Sequence, residues 1–257
     1  MSELFRLEGR VAFVSGAAGH LGRAMTEALC EAGAHVVLNG RDDAKLAVYE
    51  GELLGKGYSV ERVVFDVGDA AAVRAYFSKL PRLDVLVNNA ISMTAKPFAA
   101  LEPADFEKTY ASSVTAAFES VRAARSALIA SDGASVVNIA SMYANVSPDS
   151  RIYAKREQAS PFHYGPAKAA LIQLTRHLAA ELGPDKIRVN ALVPGPFPKD
   201  EVTKADPDFA ARLAAKTMLG RTGRAGEIAG PLLFLATKAS SFVTGAAITV
   251  DGGWTAW

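Results

Sequence analysis

Tyr164 and Lys168 stand four residues apart in HYGPAKAALIQLTRHLAAEL, a stretch whose apolar residues recur at helical spacing. On a helix both side chains project from one face, one turn apart. An ammonium so close favours phenolate over phenol. A tyrosine whose pKa falls from about 10 toward neutrality can give or take a proton during hydride transfer. An isolated Tyr-x-x-x-Lys is also common on solvated helix faces. Here it follows Ser141, which ends the apolar run SVVNIAS at 135–141 and adds a hydroxyl upstream.

A second constellation suits a nucleotide. Directly after VAFVSGA at 11–17 comes the turn Ser15-Gly16-Ala17-Ala18-Gly19-His20-Leu21-Gly22, which opens a helical pattern. Glycines allow a tight turn and close backbone approach, and the free N–H groups and dipole of a helix N-terminus favour a pyrophosphate. The bland alternative is a tight strand-to-helix connection, and position in a first β-α-β unit weighs against it. Gly16, Gly19, His20, Leu21 and Gly22 are therefore candidate cofactor residues. Asp66 and Asn88 end later strands on the same sheet edge, Asp66 suited to an adenine amino group and Asn88 to bracing the crevice floor. Capping or turn roles are the alternative for each. Val67 and Ala90, beside them, join the candidate set. The second strand ends in Asn39-Gly40-Arg41. No acid stands there for a ribose 2′-hydroxyl, and Arg41 suits a 2′-phosphate, although Asp42 and Asp43 would repel one. NADP is favoured over NAD.

Positioning these residues requires a particular set of elements. Strands are expected at VAFVSGA, HVVLN (35–39), VERVVFDV (60–67), DVLVNNA (84–90), SVVNIAS, IRVNALVP (187–194) and AAITVDGG (246–253), with helical patterns between most of them. The first helix carries Leu21, Ala24, Met25, Ala28, Leu29 and Ala32 until Gly33 stops it. Continuous apolar strands separated by helices imply a Rossmann-type, doubly wound parallel α/β sheet with helices on both faces. Without a linker or repeat, residues 1–257 are read as one domain. Loops at about 142–163 and 195–219 lack a clear period and leave strand ends, where such sheets bind ligands.

In order and spacing these residues resemble the short-chain dehydrogenase/reductase family over nearly the whole chain. The glycine turn, Asn88-Asn89-Ala90, Ser141, the Tyr164/Lys168 pair, Pro194-Gly195 and the ending Asp251-Gly252-Gly253 carry the resemblance. It implies that Tyr164 is the general acid/base, that Lys168 lowers its pKa and holds the nicotinamide ribose, and that Ser141 orients the substrate oxygen. It also adds Pro194 and Gly195 to the cofactor residues. There are departures. His20 replaces the family's second glycine, Ile91 follows Asn-Asn-Ala where glycine is usual, and no threonine follows the Pro-Gly pair. Ser113 aligns with the helix asparagine that supports a proton-relay water, and so joins the candidate catalytic residues.

The loop between Ser141 and Tyr164 is longer than the family's usual connection and is expected to border the site. Arg151, Lys155 and Arg156 against Asp149 and Glu157 give it either a cationic rim for an anionic substrate or an ordinary solvated surface. Tyr143, Asn145 and Tyr153 offer groups for a polar ligand. This loop, PGPFP and the ending GGWTAW resemble family members acting on sugars and polyols near gluconate 5-dehydrogenases. The leading expectation is an oxidoreductase of a secondary alcohol or ketone on a polyhydroxylated molecule. A 3-oxoacyl thioester reductase is the alternative within enzymes, and a catalytically inactive cofactor-binding scaffold is the alternative from another class.

Composition closes off other classes. Half the residues are hydrophobic, and 28 Lys+Arg against 27 Asp+Glu leave a formal charge of +1, which argues against disorder and nucleic-acid binding. Cys30 is the single cysteine, so no internal disulfide forms and a reducing, cytoplasmic setting is expected. The charged N-terminus lacks a secretion signal and no apolar run suits a membrane span. His20, His35, His163 and His177 show no ligand spacing, so no metal site is expected; His163, beside Tyr164, is the one to follow. The stretches 104–129 and 162–182 are apolar on more than one face, which the family commonly buries across two-fold axes. A homotetramer is expected, with Trp254 and Trp257 near a subunit contact.

Overall fold

The computed structural model describes residues 3–155 and 159–257. Its strands are β1 (Val11–Ser15), β2 (His35–Gly40), β3 (Val60–Val64), β4 (Val85–Asn88), β5 (Ser135–Ile139), β6 (Arg188–Pro194) and β7 (Ala247–Val250). All pair in parallel in the order β3-β2-β1-β4-β5-β6-β7. The chain runs outward from β1 to β3, then returns to place β4 on the other side of β1. That reversal parts the connections above β1 and β4 and opens a crevice at their carboxyl ends.

The two-residue period of each inner strand feeds two cores. Ala12 and Val14 of β1 enter one cluster and Phe13 the other, and β4 repeats the pattern with Val85 and Val87 against Leu86. The first core is closed by α1 (His20–Glu31), α2 (Asp43–Gly55) and α9 (Ala229–Ala236), through Met25, Leu29, Tyr49 and Leu232. The second is closed by α3 (Ala70–Phe77), α5 (Ala116–Ile129) and α6 (Tyr164–Leu182), through Phe77, Val121, Leu128 and Leu178. Each such fully buried side chain contributes roughly 1.5–3 kcal/mol of transfer free energy. Both faces of the inner strands are dry, as their unbroken apolar runs require. The two edge strands differ from that expectation. β3 has three exposed residues and β7 alternates, because each has a neighbour on one side only.

Two further helices, α7 (Asp200–Ala205) and α8 (Pro207–Ala215), occupy the stretch after β6 that carries no clear period in the sequence. Asp206 caps α8 by accepting from the Phe209 N–H at 2.8 Å, and Pro207 starts it. The expected helix over 104–129 is one continuous helical run, α4 (Pro103–Tyr110) passing into α5 through a π-helical turn at Ala111–Thr115. Among the described residues no helix is long and apolar enough to cross a membrane.

Candidate active site

The turn after β1 closes because no side chain intrudes. A Cβ on Gly22 would lie 2.1 Å from the Gly16 carbonyl oxygen, so α1 can pack back onto the turn only with glycine there. Gly19 is the N-cap of α1 and supplies no side-chain bond to the first amides, which leaves those donors to a ligand. His20 begins the helix, and its enclosed Nε2 has no partner among the described residues. The turn is tied to β4 from below. The Ser15 hydroxyl accepts from the Asn89 and Ala90 amides at 2.9 and 3.0 Å, and the Asn89 side chain donates to the Ser15 and Gly16 carbonyls at 2.9 and 3.2 Å.

A crevice of about 550 Å³ runs from this turn across the sheet's carboxyl edge, within the usual size of a small-molecule site. Gly16, Gly19, His20, Leu21 and Gly22 line one part of it, and Arg41, Asp66 and Val67 line the end over β2 and β3. The Asp66 carboxylate accepts from the Gly68 amide at 2.8 Å and meets the Arg41 guanidinium at 3.4 Å. The two acids after Arg41 have partners of their own. Asp42 caps α2 by accepting from the Lys45 N–H at 3.0 Å, and Asp43 pairs with Arg62 at 2.9 Å. Neither lines the crevice, so the repulsion expected from them is relieved by the start of α2.

Ala90 lines the wall above β4, and Pro194 and Gly195 line the opposite wall after β6. The ends of β6 and β7 meet behind that wall: a Cβ on Gly195 would lie 2.5 Å from the Asp251 Cα. Asp251 in turn accepts from the Gly253 and Thr255 amides at 2.9 and 2.8 Å. The Asp-Gly-Gly ending thus braces the crevice from outside.

Ser141, Tyr164 and Lys168 converge at the same crevice. Ser141 caps the short helical turn at 142–144, its hydroxyl accepting from the Tyr143 amide at 3.2 Å. Tyr164 and Lys168 lie one turn apart on α6, and the Lys168 ammonium sits 5.7 Å from the Tyr164 ring centroid, donating to the Ile139 carbonyl at 2.5 Å. Burial pulls Lys168 down from 10.5 to about 8. Burial also pushes the Tyr164 phenol up, with the Ser141 hydroxyl acting in the opposite direction. The lowered tyrosine expected from the Tyr-x-x-x-Lys spacing is therefore corrected for this state. Desolvation sets that direction, while the ammonium donates to a backbone carbonyl.

Other candidates fall elsewhere. Asn88 does not line the crevice. It is buried beneath it, donating to Asn138 Oδ1 at 2.9 Å, and Asn138 donates to Thr175 Oγ1 at 2.9 Å, so one chain of amides and hydroxyl joins β4, β5 and α6. Ser113 is turned away, its hydroxyl donating to the Thr109 carbonyl at 2.7 Å; Ser112 lines the crevice instead. The π-helical turn advances the helix less per residue and moves the inward position back by one. The loop at 142–163 contributes no described residue to the lining. Ile152 packs with Met142, Leu213 and Trp254, the Tyr143 and Tyr153 hydroxyls bond each other at 2.9 Å, and Arg212 donates to the Ile152 carbonyl at 2.7 Å. Of the expected cationic rim, Arg151 pairs with Asp149, which also takes Lys216 from beyond the loop, and Arg156 and Glu157 lie outside the described residues. Trp254 is spent inside the chain in that cluster, whereas Trp257 is exposed.

The wall that the sequence reading missed is the segment after β4. Ile91, Ser92 and Met93 line the crevice opposite Phe197, at the carboxyl end of a strand where the same strand-end rule directs attention.

A family model described as enoyl-(acyl carrier protein) reductase matches residues 16–255. The chain belongs to the short-chain dehydrogenase/reductase family. Among its relatives within that family, the gluconate 5-dehydrogenase of Gluconobacter oxydans is 31% identical over 98% of this chain and 96% of its own. The rhamnolipid-biosynthesis 3-oxoacyl-[acyl-carrier-protein] reductase of Pseudomonas aeruginosa is 34% identical over 98% of this chain and 99% of its own. A solved gluconate 5-dehydrogenase from Burkholderia cenocepacia, in complex with NADP and tartrate, superposes with a TM-score of 0.87 at 31% identity. It matches 99% of this chain and 98% of that one. This short-chain dehydrogenase/reductase accordingly joins a glycine turn and a Ser, Tyr and Lys cluster in one crevice.

Proposed function

We propose that this protein interconverts a secondary alcohol and a ketone on a polyhydroxylated small molecule, with NADP as cofactor. One observation carries the reading: the Ser141, Tyr164 and Lys168 side chains open onto the same crevice as the glycine turn. The residues fit the cofactor. Gly22 leaves space that any Cβ would close, the first amides of α1 lack a side-chain cap, and Arg41 lines the far end with its neighbouring acids engaged elsewhere. With the cofactor held there, its nicotinamide would supply or accept the hydride. In reduction the Tyr164 hydroxyl gives its proton to the substrate oxygen, and in oxidation the phenolate takes it back. Ser141 holds that oxygen against the phenol. The Lys168 ammonium faces the tyrosine ring and stabilises negative charge developing on its oxygen.

The relatives support the substrate class, two of the three being gluconate dehydrogenases, and the acyl-carrier-protein reductase keeps a thioester reading open. The deciding experiment follows nicotinamide absorbance with keto-sugars, sugar acids, polyols and a 3-oxoacyl thioester, after paired titrations of NADPH and NADH. Turnover of a polyhydroxylated compound with preference for NADPH is expected. Turnover of the thioester alone would replace the substrate class, and tight cofactor binding with no turnover would favour a scaffold.

The same reading includes one catalytic domain per chain, a cytoplasmic setting and a homotetramer. Phe118 and Ile129 on α5 and Phe162 before α6 support assembly, since each leaves a large part of an apolar side chain exposed.

A further inference from the structure

His163 is fully buried immediately before Tyr164, and nothing in the proton chemistry above uses it. Its two ring nitrogens reach separate elements. Nε2 lies 3.1 Å from the Thr94 carbonyl oxygen and Nδ1 lies 2.9 Å from Thr109 Oγ1 on α4. A carbonyl only accepts, so Nε2 carries hydrogen toward Thr94, and in the neutral ring Nδ1 accepts from the Thr109 hydroxyl. The ring edge also packs on Phe106, with centroids 5.8 Å apart. Residues 92–94 are held at their other end by Ser112, whose hydroxyl accepts from the Ser92 amide at 2.9 Å and reaches the Ser92 carbonyl at 3.1 Å.

The backbone of this wall is thus fastened to the helix that carries Tyr164 and to the π-helical turn. Ser92 and Met93 are left lining the crevice. Both backbone groups of Ser92 are engaged by Ser112, and Thr109 Oγ1 also lies 3.4 Å from the Ser92 carbonyl oxygen, whereas the Ser92 hydroxyl has no partner among the described residues. A half-buried hydroxyl held by a rigid backbone, in the crevice that holds Tyr164, is suited to meet a non-reacting hydroxyl of a bound molecule.

We propose that Ser92 is a specificity-determining contact for a substrate hydroxyl and that His163, through Thr94 and Thr109, is the positioning residue that sets its place. The proposal deepens the polyol reading and rests on it. Removing the His163 bonds lets the 91–97 segment loosen without disturbing the glycine turn, so substrate binding suffers and cofactor binding does not.

The test uses the full chain carrying His163→Phe, His163→Gln, Thr109→Val or Ser92→Ala. Hydrogen exchange at 91–97 is expected to quicken by about tenfold or more in His163→Phe and Thr109→Val, as local opening becomes easier, with exchange in β1 and β4 unchanged. For whichever panel compound the wild type turns over, KM is expected to rise about tenfold in His163→Phe, Thr109→Val and Ser92→Ala, with kcat within about threefold and NADPH affinity within about twofold. His163→Gln, whose amide can still donate to Thr94, is expected to recover most of the loss. Ser92→Ala combined with Thr109→Val should cost little more than either alone, since both act through one contact. Unchanged exchange at 91–97 overturns the clamp. Unchanged KM in Ser92→Ala overturns the contact, and a parallel fall in kcat, KM performance and cofactor affinity shows a merely structural histidine. If the wild type turns over no panel compound, the polyol reading fails, while the exchange measurement still decides the clamp.

Discussion

At the scale of single residues, burial sets the character of the site. Lys168 is held in the fold at about 8 against 10.5. A folded-state pKa below the unfolded one means that the unfolded chain binds more protons between those values. Stability of the cofactor-free protein therefore rises with pH from about 8 to 10.5, and the cost of the buried ammonium is fully present below that window. Lys168→Met should stabilise the cofactor-free protein at pH 7 by about 2 kcal/mol, after subtracting about 1 kcal/mol for the bond lost to Ile139. The gain should vanish near pH 10.5 in chemical denaturation, and a gain that persists at that pH would contradict the assignment. Arg41 makes a second case. Arg41→Ala should weaken NADPH by roughly tenfold and NADH by little in fluorescence titrations, because the ion pair it loses is a long, exposed contact to Asp66. Residue types announced this chemistry, but not its balance. The spacing of Tyr164 and Lys168 reveals their shared face, while the turn of the ammonium toward Ile139 depends on how deeply α6 is buried.

At the scale of elements, the glycine turn is the most constrained piece. Gly22→Ala would drive a methyl carbon to within 2.1 Å of the Gly16 carbonyl oxygen, so α1 must shift. The substitution should cost roughly 1–3 kcal/mol of stability and most of the cofactor affinity, measured by thermal unfolding and NADPH titration on one sample. Native stability with unchanged affinity would show that the turn has room to spare. The strands were legible because two-sided burial writes itself as unbroken apolar runs: the stretches 11–17, 84–90 and 135–141 contain β1, β4 and β5, each strand stopping two residues before its stretch ends. Three other features were not legible. α7 and α8 are short, six and nine residues, and span too few turns to mark themselves out in the sequence. The π-helical turn that exchanges Ser113 for Ser112 adds no distinctive residue type. The packing of Ile152 from the loop at 142–163 against Leu213 and Trp254 leaves no period in the sequence.

At the scale of the whole molecule, the reversal of strand order between β1 and β4 is what gathers residues from Gly16 to Gly195 into one crevice. No single segment carries the function. The exposed apolar side chains near α5 and α6 lead to an expected tetramer in sedimentation at micromolar concentration, and a monomer there would contradict the assembly. The measurement that bears most directly on the central claim is turnover by Tyr164→Phe protein in which NADPH binding has first been confirmed. Loss of about 10²–10⁴ in rate with cofactor affinity kept within about twofold is expected if the phenol moves the proton. Turnover equal to that of the wild type would remove Tyr164 from that role and with it the proposed chemistry.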